Sequence, residues 1–184
     1  MNILVAYATA HGSTKEVAEF IGRVLTTYNA NVTVADVQDI QYVDTYDAFV
    51  LGSPIHGGLW LQEMCNFTDR FHAQLSRKPS YFWITCIRAL EPDGYEHALE
   101  YYIDHKTLNS FNVRDVAVFT GKLNPDAITR QEQWYLASHY DGKQRPGYIN
   151  NDFRDWEVIA AWANRLAKDL QLKPVVSPLS VKAL

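Results

Sequence analysis

Cysteine is almost missing from this chain: Cys65 and Cys86 are the only two among 184 residues, and they do not form a C-x-x-C pair. That leaves no basis for a disulfide framework or a dithiol redox centre, and both read as packed thiols of a reducing, cytoplasmic compartment. Metal-ligating spacings such as H-x-x-x-H are missing too, so no metal site is expected. No apolar run approaches the length of a membrane-spanning helix, so no integral membrane segment is expected. The run that opens the chain starts at Ile3 without a basic leader and stops after six residues, which does not fit a secretory signal. Charge of one sign is scarce as well: 17 Lys and Arg face 21 Asp and Glu, a net −4. Such a balance makes no case for nucleic acid and is mild for a carrier that docks through an acidic face.

What the chain has in quantity is aromatic surface, 13% of its residues, with five Trp and eleven Tyr. The length suits one domain with a sizeable core, assigned to residues 1–172, followed by a C-terminal tail over 173–184 that contains Pro174 and Pro178. Within the domain, strand and helix patterns alternate. Ile3 to Ala8 is a near-continuous apolar run, as a buried parallel strand requires. Asn31 to Asp36 alternates apolar and polar residues like an edge strand; Asp47 to Gly52, Tyr81 to Ile87 and Val113 to Phe119 supply three more. Helical spacing follows at Val17, Phe20, Ile21, Val24 and Leu25, and again from about Leu61 with Met64, Phe67, Thr68, Phe71 and Leu75 inward. Asp93 and Glu96 are spaced to cap a further helix, and a last one starts near Asn151 or Asp152 with Ile159, Trp162, Ala163, Leu166 and Leu170 inward. Five strands separated by helices predict an α/β, doubly wound parallel sheet.

Between the first strand and its helix lies Thr9-Ala10-His11-Gly12-Ser13-Thr14. Ser13 stands three residues before Glu16, the spacing of a capping box. Unpaired N–H groups and the positive helix end meet there, so an anion, above all a phosphate, is its natural occupant. The glycine-lysine-serine ending of a triphosphate loop is lacking, as are the spaced glycines of a dinucleotide fold and the G-x-S-x-G of a hydrolase. A phospho-acceptor domain needs carboxylates at the ends of its first and third strands, where this chain has Thr9 and Ser53. Asp152 and Asp155 read as helix-start charges complementing the dipole.

The loop resembles the FMN phosphate loop of the flavodoxin-like flavoproteins, roughly T-x-T-G-x-T, with His11 in place of the middle threonine. An imidazole there can still donate a hydrogen bond. Together with the Gly52-Ser-Pro-Ile-x-x-Gly58 turn and Asp155-Trp156-Glu157 before the last helix, it is similar to the subgroup containing the bacterial menaquinone-dependent protoporphyrinogen oxidase. The resemblance implies a five-stranded sheet in the order 2-1-3-4-5 and FMN at the carboxyl ends of its strands. It implies cofactor contacts from Thr9 to Thr14, from Pro54, Ile55, His56, Gly57, Gly58 and Trp60, and from Thr85, Cys86, Ile87, Arg88 and Ala89. Gly57 and Gly58 would bring backbone close to the flavin's reactive nitrogen, and Trp60 would offer a face for stacking. Arg88 near the pyrimidine edge would favour the anionic reduced flavin, unless Glu91 or Asp93 pairs with it. Lys122 is a weaker candidate for contact with substrate or flavin. The segment from Lys122 to Tyr148 is poor in basic residues, whereas the oxidase carries a basic and apolar segment there, so porphyrin and membrane are not carried over.

The functional expectation is an FMN-dependent oxidoreductase passing electrons to or from a small acceptor such as a quinone, with no protein side chain as nucleophile. The aromatic residues Trp134, Tyr135, Tyr140 and Tyr148 would cover that acceptor or a second subunit of a homo-oligomer. Two alternatives stand beside it: a flavodoxin-type electron carrier between protein partners, and a flavin-free interaction domain on the same fold.

Overall fold

The opening apolar run forms β1 (Asn2–Tyr7), with Ile3 to Ala6 wholly inaccessible to solvent. Burial on both faces is what a central strand of a helix-covered parallel sheet requires. Strand β1 runs parallel to β2 (Asn31–Asp36) on one side and β3 (Ala48–His56) on the other, with Val5 opposite both Val34 and Val50. Strands β5 (Ser80–Thr85) and β6 (Val113–Phe119) extend the sheet to the order β2-β1-β3-β5-β6. Between β3 and β5 in sequence, the two-residue β4 (Leu59–Trp60) folds back antiparallel on the end of β3. With that short return strand left out, the order is the expected 2-1-3-4-5, and the alternating β2 lies at an edge. The computed structural model describes residues 1–123, 128–131, 134 and 151–175.

Strand alternation divides the core into two layers. On one face, Ile3, Val5, Val50 and Trp83 pack against Val17, Ile21 and Leu25 of α1 (Ser13–Thr26) and Ile159, Trp162 and Leu166 of α6 (Trp156–Asp169). On the other, Leu4, Phe49, Leu51 and Phe82 meet Met64 and Phe67 of α2 (Gln62–Arg70), Leu75 of α3 (His72–Leu75), Ala98 of α4 (Gly94–Tyr101) and Leu108 of α5 (His105–Leu108). Gly52 in β3 lies directly under the Trp83 ring, where an added Cβ would stand 2.0 Å from the indole carbons. The Trp83 indole N–H is buried and has no hydrogen-bond partner among the described residues. Among the described residues no helix is long and apolar enough to cross a membrane.

Several boundaries differ from expectation. Strand β3 does not stop at Gly52 but runs on to His56, because β5 pairs with Ser53 and Pro54 and β4 with Ile55 and His56. Strand β5 ends at Thr85, and Ile87–Leu90 is a single 3-10 turn. The helix from Leu61 is divided at Phe71. Gly12, not Ser13, caps α1, so the expected capping box does not form: the helix starts one residue early and the Ser13–Glu16 spacing falls out of step. Asp93 precedes α4 without capping it, its carboxylate being taken by Arg88. The last helix starts at Trp156 rather than near 151, capped by Asp155, whose carboxylate accepts from the Glu157 and Val158 N–H groups. Asp152 is therefore not a helix-start charge; it sits in β8 (Asn151–Asp152), paired antiparallel with β7 (Lys122–Leu123). The aromatic residues Tyr135, Tyr140 and Tyr148 and the tail from 176 onward lie outside the described residues, while Trp134 is exposed. Lys173 and Val175 bond to the α1–β2 connection, which holds the start of the tail against the domain.

Candidate functional site

At the carboxyl end of β1 the chain enters a tight loop. The Ala8 N–H donates to the Gly52 carbonyl at 2.9 Å, keeping β1 and β3 in register to their ends. Thr9 Oγ1 then accepts from the Gly12 N–H at 2.9 Å, and Gly12 turns into α1 with φ of 88°. That left-handed geometry strains any residue with a Cβ. Among the described residues no side chain caps the helix, which leaves its first N–H groups and the positive end of its dipole uncapped. A Cβ added at Gly12 would meet nothing within 4 Å, so the loop borders open space. Thr14 is wholly buried and its hydroxyl shares a 3.0 Å hydrogen bond with Thr85 at the end of β5. Its side chain thus ties the loop to the sheet, leaving its backbone N–H as the group available toward a ligand.

The β3–β4 hairpin stands beside this loop. His11 and His56, both exposed, have ring centroids 6.4 Å apart. Gly57 and Gly58 make the turn with φ of 60° and 84°. Ser53, which the sequence reading passed over except as a non-carboxylate, holds the hairpin's foot: its buried hydroxyl accepts from the Leu61 N–H at 3.0 Å, where α2 begins. Pro54 and Ile55 are half-buried. Trp60 is turned inward, with its indole N–H donating to the Tyr102 carbonyl at 3.0 Å and its ring stacked 5.6 Å from Phe82.

The third wall follows β5. Cys86 is buried and its N–H reaches the Phe119 carbonyl, while Ile87 and Ala89 are half-buried in the 3-10 turn. Burial pushes the Cys86 thiol up from its ordinary pKa, as it does for half-buried Cys65; both are free thiols. Arg88 is ion-paired, 2.9 Å from Asp93 and 4.0 Å from Glu91, and its hydrogen bond holds the Asp93 carboxyl below the usual range. Lys122 lies exposed in β7, across from Asp152.

Sequence reasoning missed Arg154. Its side chain is 2% exposed, and its guanidinium forks onto Asp152 with Nε and Nη2 at 2.7 and 2.5 Å. Nη2 also lies 2.7 Å from the Glu16 carboxylate, and Nη1 donates to the Ser13 carbonyl at 3.3 Å. The Trp156 ring covers the guanidinium, 4.5 Å from its centroid. Burial alone would lower the pKa of Arg154, but Asp152 and Glu16 outweigh it and raise it; in return Arg154 lowers that of Asp152. Asp152 and Trp156 flank this residue in sequence, but Ser13 and Glu16 come from a distant stretch at the start of α1, so local sequence alone did not mark it.

The loops that follow β1, β3 and β5 thus meet at the carboxyl end of the parallel sheet, one opening a helix through a left-handed glycine and the next turning on two more. The model of a family described as the flavodoxin domain matches residues 4–134. The protoporphyrinogen IX dehydrogenase [quinone] of Escherichia coli K12 is 24% identical over 176 residues, covering 91% of this chain and 95% of its own. Among solved structures, a short-chain flavodoxin associated with a bacterial microcompartment aligns with a TM-score of 0.60 at 16% identity, over 92% of this chain and 98% of that one. Oxidised flavodoxin 1 of Bacillus cereus aligns equally well, with TM-score 0.60, 16% identity, and 91% and 98% coverage.

Proposed function

The chain belongs to the flavodoxin domain family, and on that premise we propose that it binds FMN where these loops meet and passes electrons through the flavin to or from a small acceptor of the quinone class. The observation that carries the reading is the pairing of two open glycine turns, at Gly12 and at Gly57-Gly58, on adjacent walls of one sheet end. The first suits a phosphate and the second a flat ring held against backbone. The quinone class is supported by the name of the Escherichia coli relative, which shares nearly its whole length with this chain.

Backbone N–H groups of Ala10, His11, Ser13 and Thr14 hold the phosphate, the Gly12 N–H being taken by Thr9 Oγ1, with the Ser13 hydroxyl and the His11 imidazole as side-chain donors. Thr9 and Thr14 act one step back: Thr9 fixes the Gly12 turn, and Thr14 fixes the helix start to Thr85. Gly57 and Gly58 present backbone to the ring, while Trp60 braces the hairpin from behind through Phe82 and Tyr102. Once bound, the isoalloxazine supplies one- and two-electron chemistry that no side chain here can provide.

The test is direct. The purified protein is expected to be yellow, or to turn yellow with added FMN, and to release FMN rather than FAD on denaturation. Reduced protein is expected to be reoxidised by a soluble quinone. Protein that ignores FMN overturns the reading; a flavoprotein that reacts only with other redox proteins would instead be a carrier.

A further inference from the structure

Glu16 poses a problem for an anion site at the start of α1. A carboxylate in a first helical turn is attracted to the same N–H groups and dipole that would hold a phosphate, and helical side chains lean toward the N-terminus. Glu16 is half-exposed and long enough to compete, yet it makes no cap: its carboxylate is drawn aside, 2.7 Å from Arg154 Nη2. A buried cation at the positive end of a helix is itself out of place. It is stable there because Asp152 holds it through a two-point fork and Trp156 covers it. Two carboxylates around one guanidinium leave that cluster with no surplus positive charge, which argues against Arg154 as a direct phosphate ligand.

Resting on the flavin reading above, we infer that Arg154 is a positioning residue for the phosphate end of the site. By engaging the Glu16 carboxylate and the Ser13 carbonyl it keeps the first turn of α1 open to an external anion, and so sets a preference for FMN over riboflavin, which lacks the phosphate. Asp152 anchors the arginine from β8, so the β7–β8 pair also supports the phosphate end of the site.

The test uses the full-length protein stripped of flavin and titrated with FMN and with riboflavin. Arg154→Met is expected to weaken FMN about tenfold or more, the scale of one charged hydrogen bond, and to leave riboflavin affinity unchanged. Adding Glu16→Gln to that variant is expected to restore most of the lost FMN affinity, because the freed rival anion is gone. Equal loss of both ligands would mean that Arg154 only supports the fold; unchanged FMN affinity, or no recovery with Glu16→Gln, would also overturn the inference. If the methionine variant does not fold, Arg154→Lys keeps a cation without the fork and is expected to give the same pattern at smaller amplitude, again reversed by Glu16→Gln. Wild-type protein that binds neither flavin sinks this inference and the flavin reading together. Wild-type protein that binds FMN tightly, beside variants that never separate FMN from riboflavin, sinks this inference alone.

Discussion

Gly12 and Gly52 are both glycines for reasons that a substitution can separate. At Gly12 the backbone is left-handed but space is open, so Gly12→Ala is expected to cost about 1 kcal/mol, from conformation alone. At Gly52 the backbone is ordinary but Trp83 occupies the Cβ position, so Gly52→Ala is expected to cost about 3 kcal/mol through overpacking. Urea denaturation of the two variants measures the difference, and the reverse order would mean that Trp83 moves aside freely. Asp152 carries a pH dependence whose sign is fixed by its lowered pKa. Its contribution is fully present above the unfolded carboxylate value of about 4 and is lost as pH falls through the lower folded value. Asp152→Asn is therefore expected to flatten the acid limb of the stability curve while leaving its alkaline limb in place.

At the scale of elements, the start of α1 and the end of β5 are joined by a buried contact, Thr14 with Thr85. Replacing either threonine by valine leaves a buried hydroxyl without its partner and is expected to cost about 1–2 kcal/mol, whereas replacing both is expected to cost less than the sum. A double-mutant cycle read by thermal melts decides this. The elements themselves were legible where one periodicity ran unbroken: β2 and β6 have the bounds their alternation and apolar runs indicate, and Ile159, Trp162, Ala163 and Leu166, which the helical spacing picks out, are buried on α6, joined there by Ala167. Legibility failed where two distant pieces of chain settle a boundary together. β3 continues past Gly52 because Ile84 and Thr85 and then Trp60 and Leu59 pair with it, and α6 starts late because β7 captures residues 151 and 152. Trp60 and Arg88 show the same limit: sequence places them at the crevice, but Phe82, Tyr102, Asp93 and Glu91 determine what their side chains do there.

For the molecule as a whole, a ligand that binds only the folded chain must raise its stability. FMN at a hundred times its dissociation constant is expected to add about 2.7 kcal/mol, and riboflavin at the same concentration less, because it leaves the α1 end without its anion. Calorimetric scans with each compound measure the difference; equal shifts would mean that the phosphate makes no contact. Topology explains why one end of the sheet holds the candidate site. With β1 and β3 adjacent and the chain leaving them for helices on opposite faces, their carboxyl ends cannot both be covered by the same connection.

Trp83, pressed on Gly52 in the floor beneath that opening, gives the protein an internal lamp. Its emission arises just behind the strand end where a yellow chromophore would lie, and indole light overlaps flavin absorption. Filling of the crevice should therefore dim the protein's own ultraviolet glow without any label, and Trp83→Phe should remove part of that dimming.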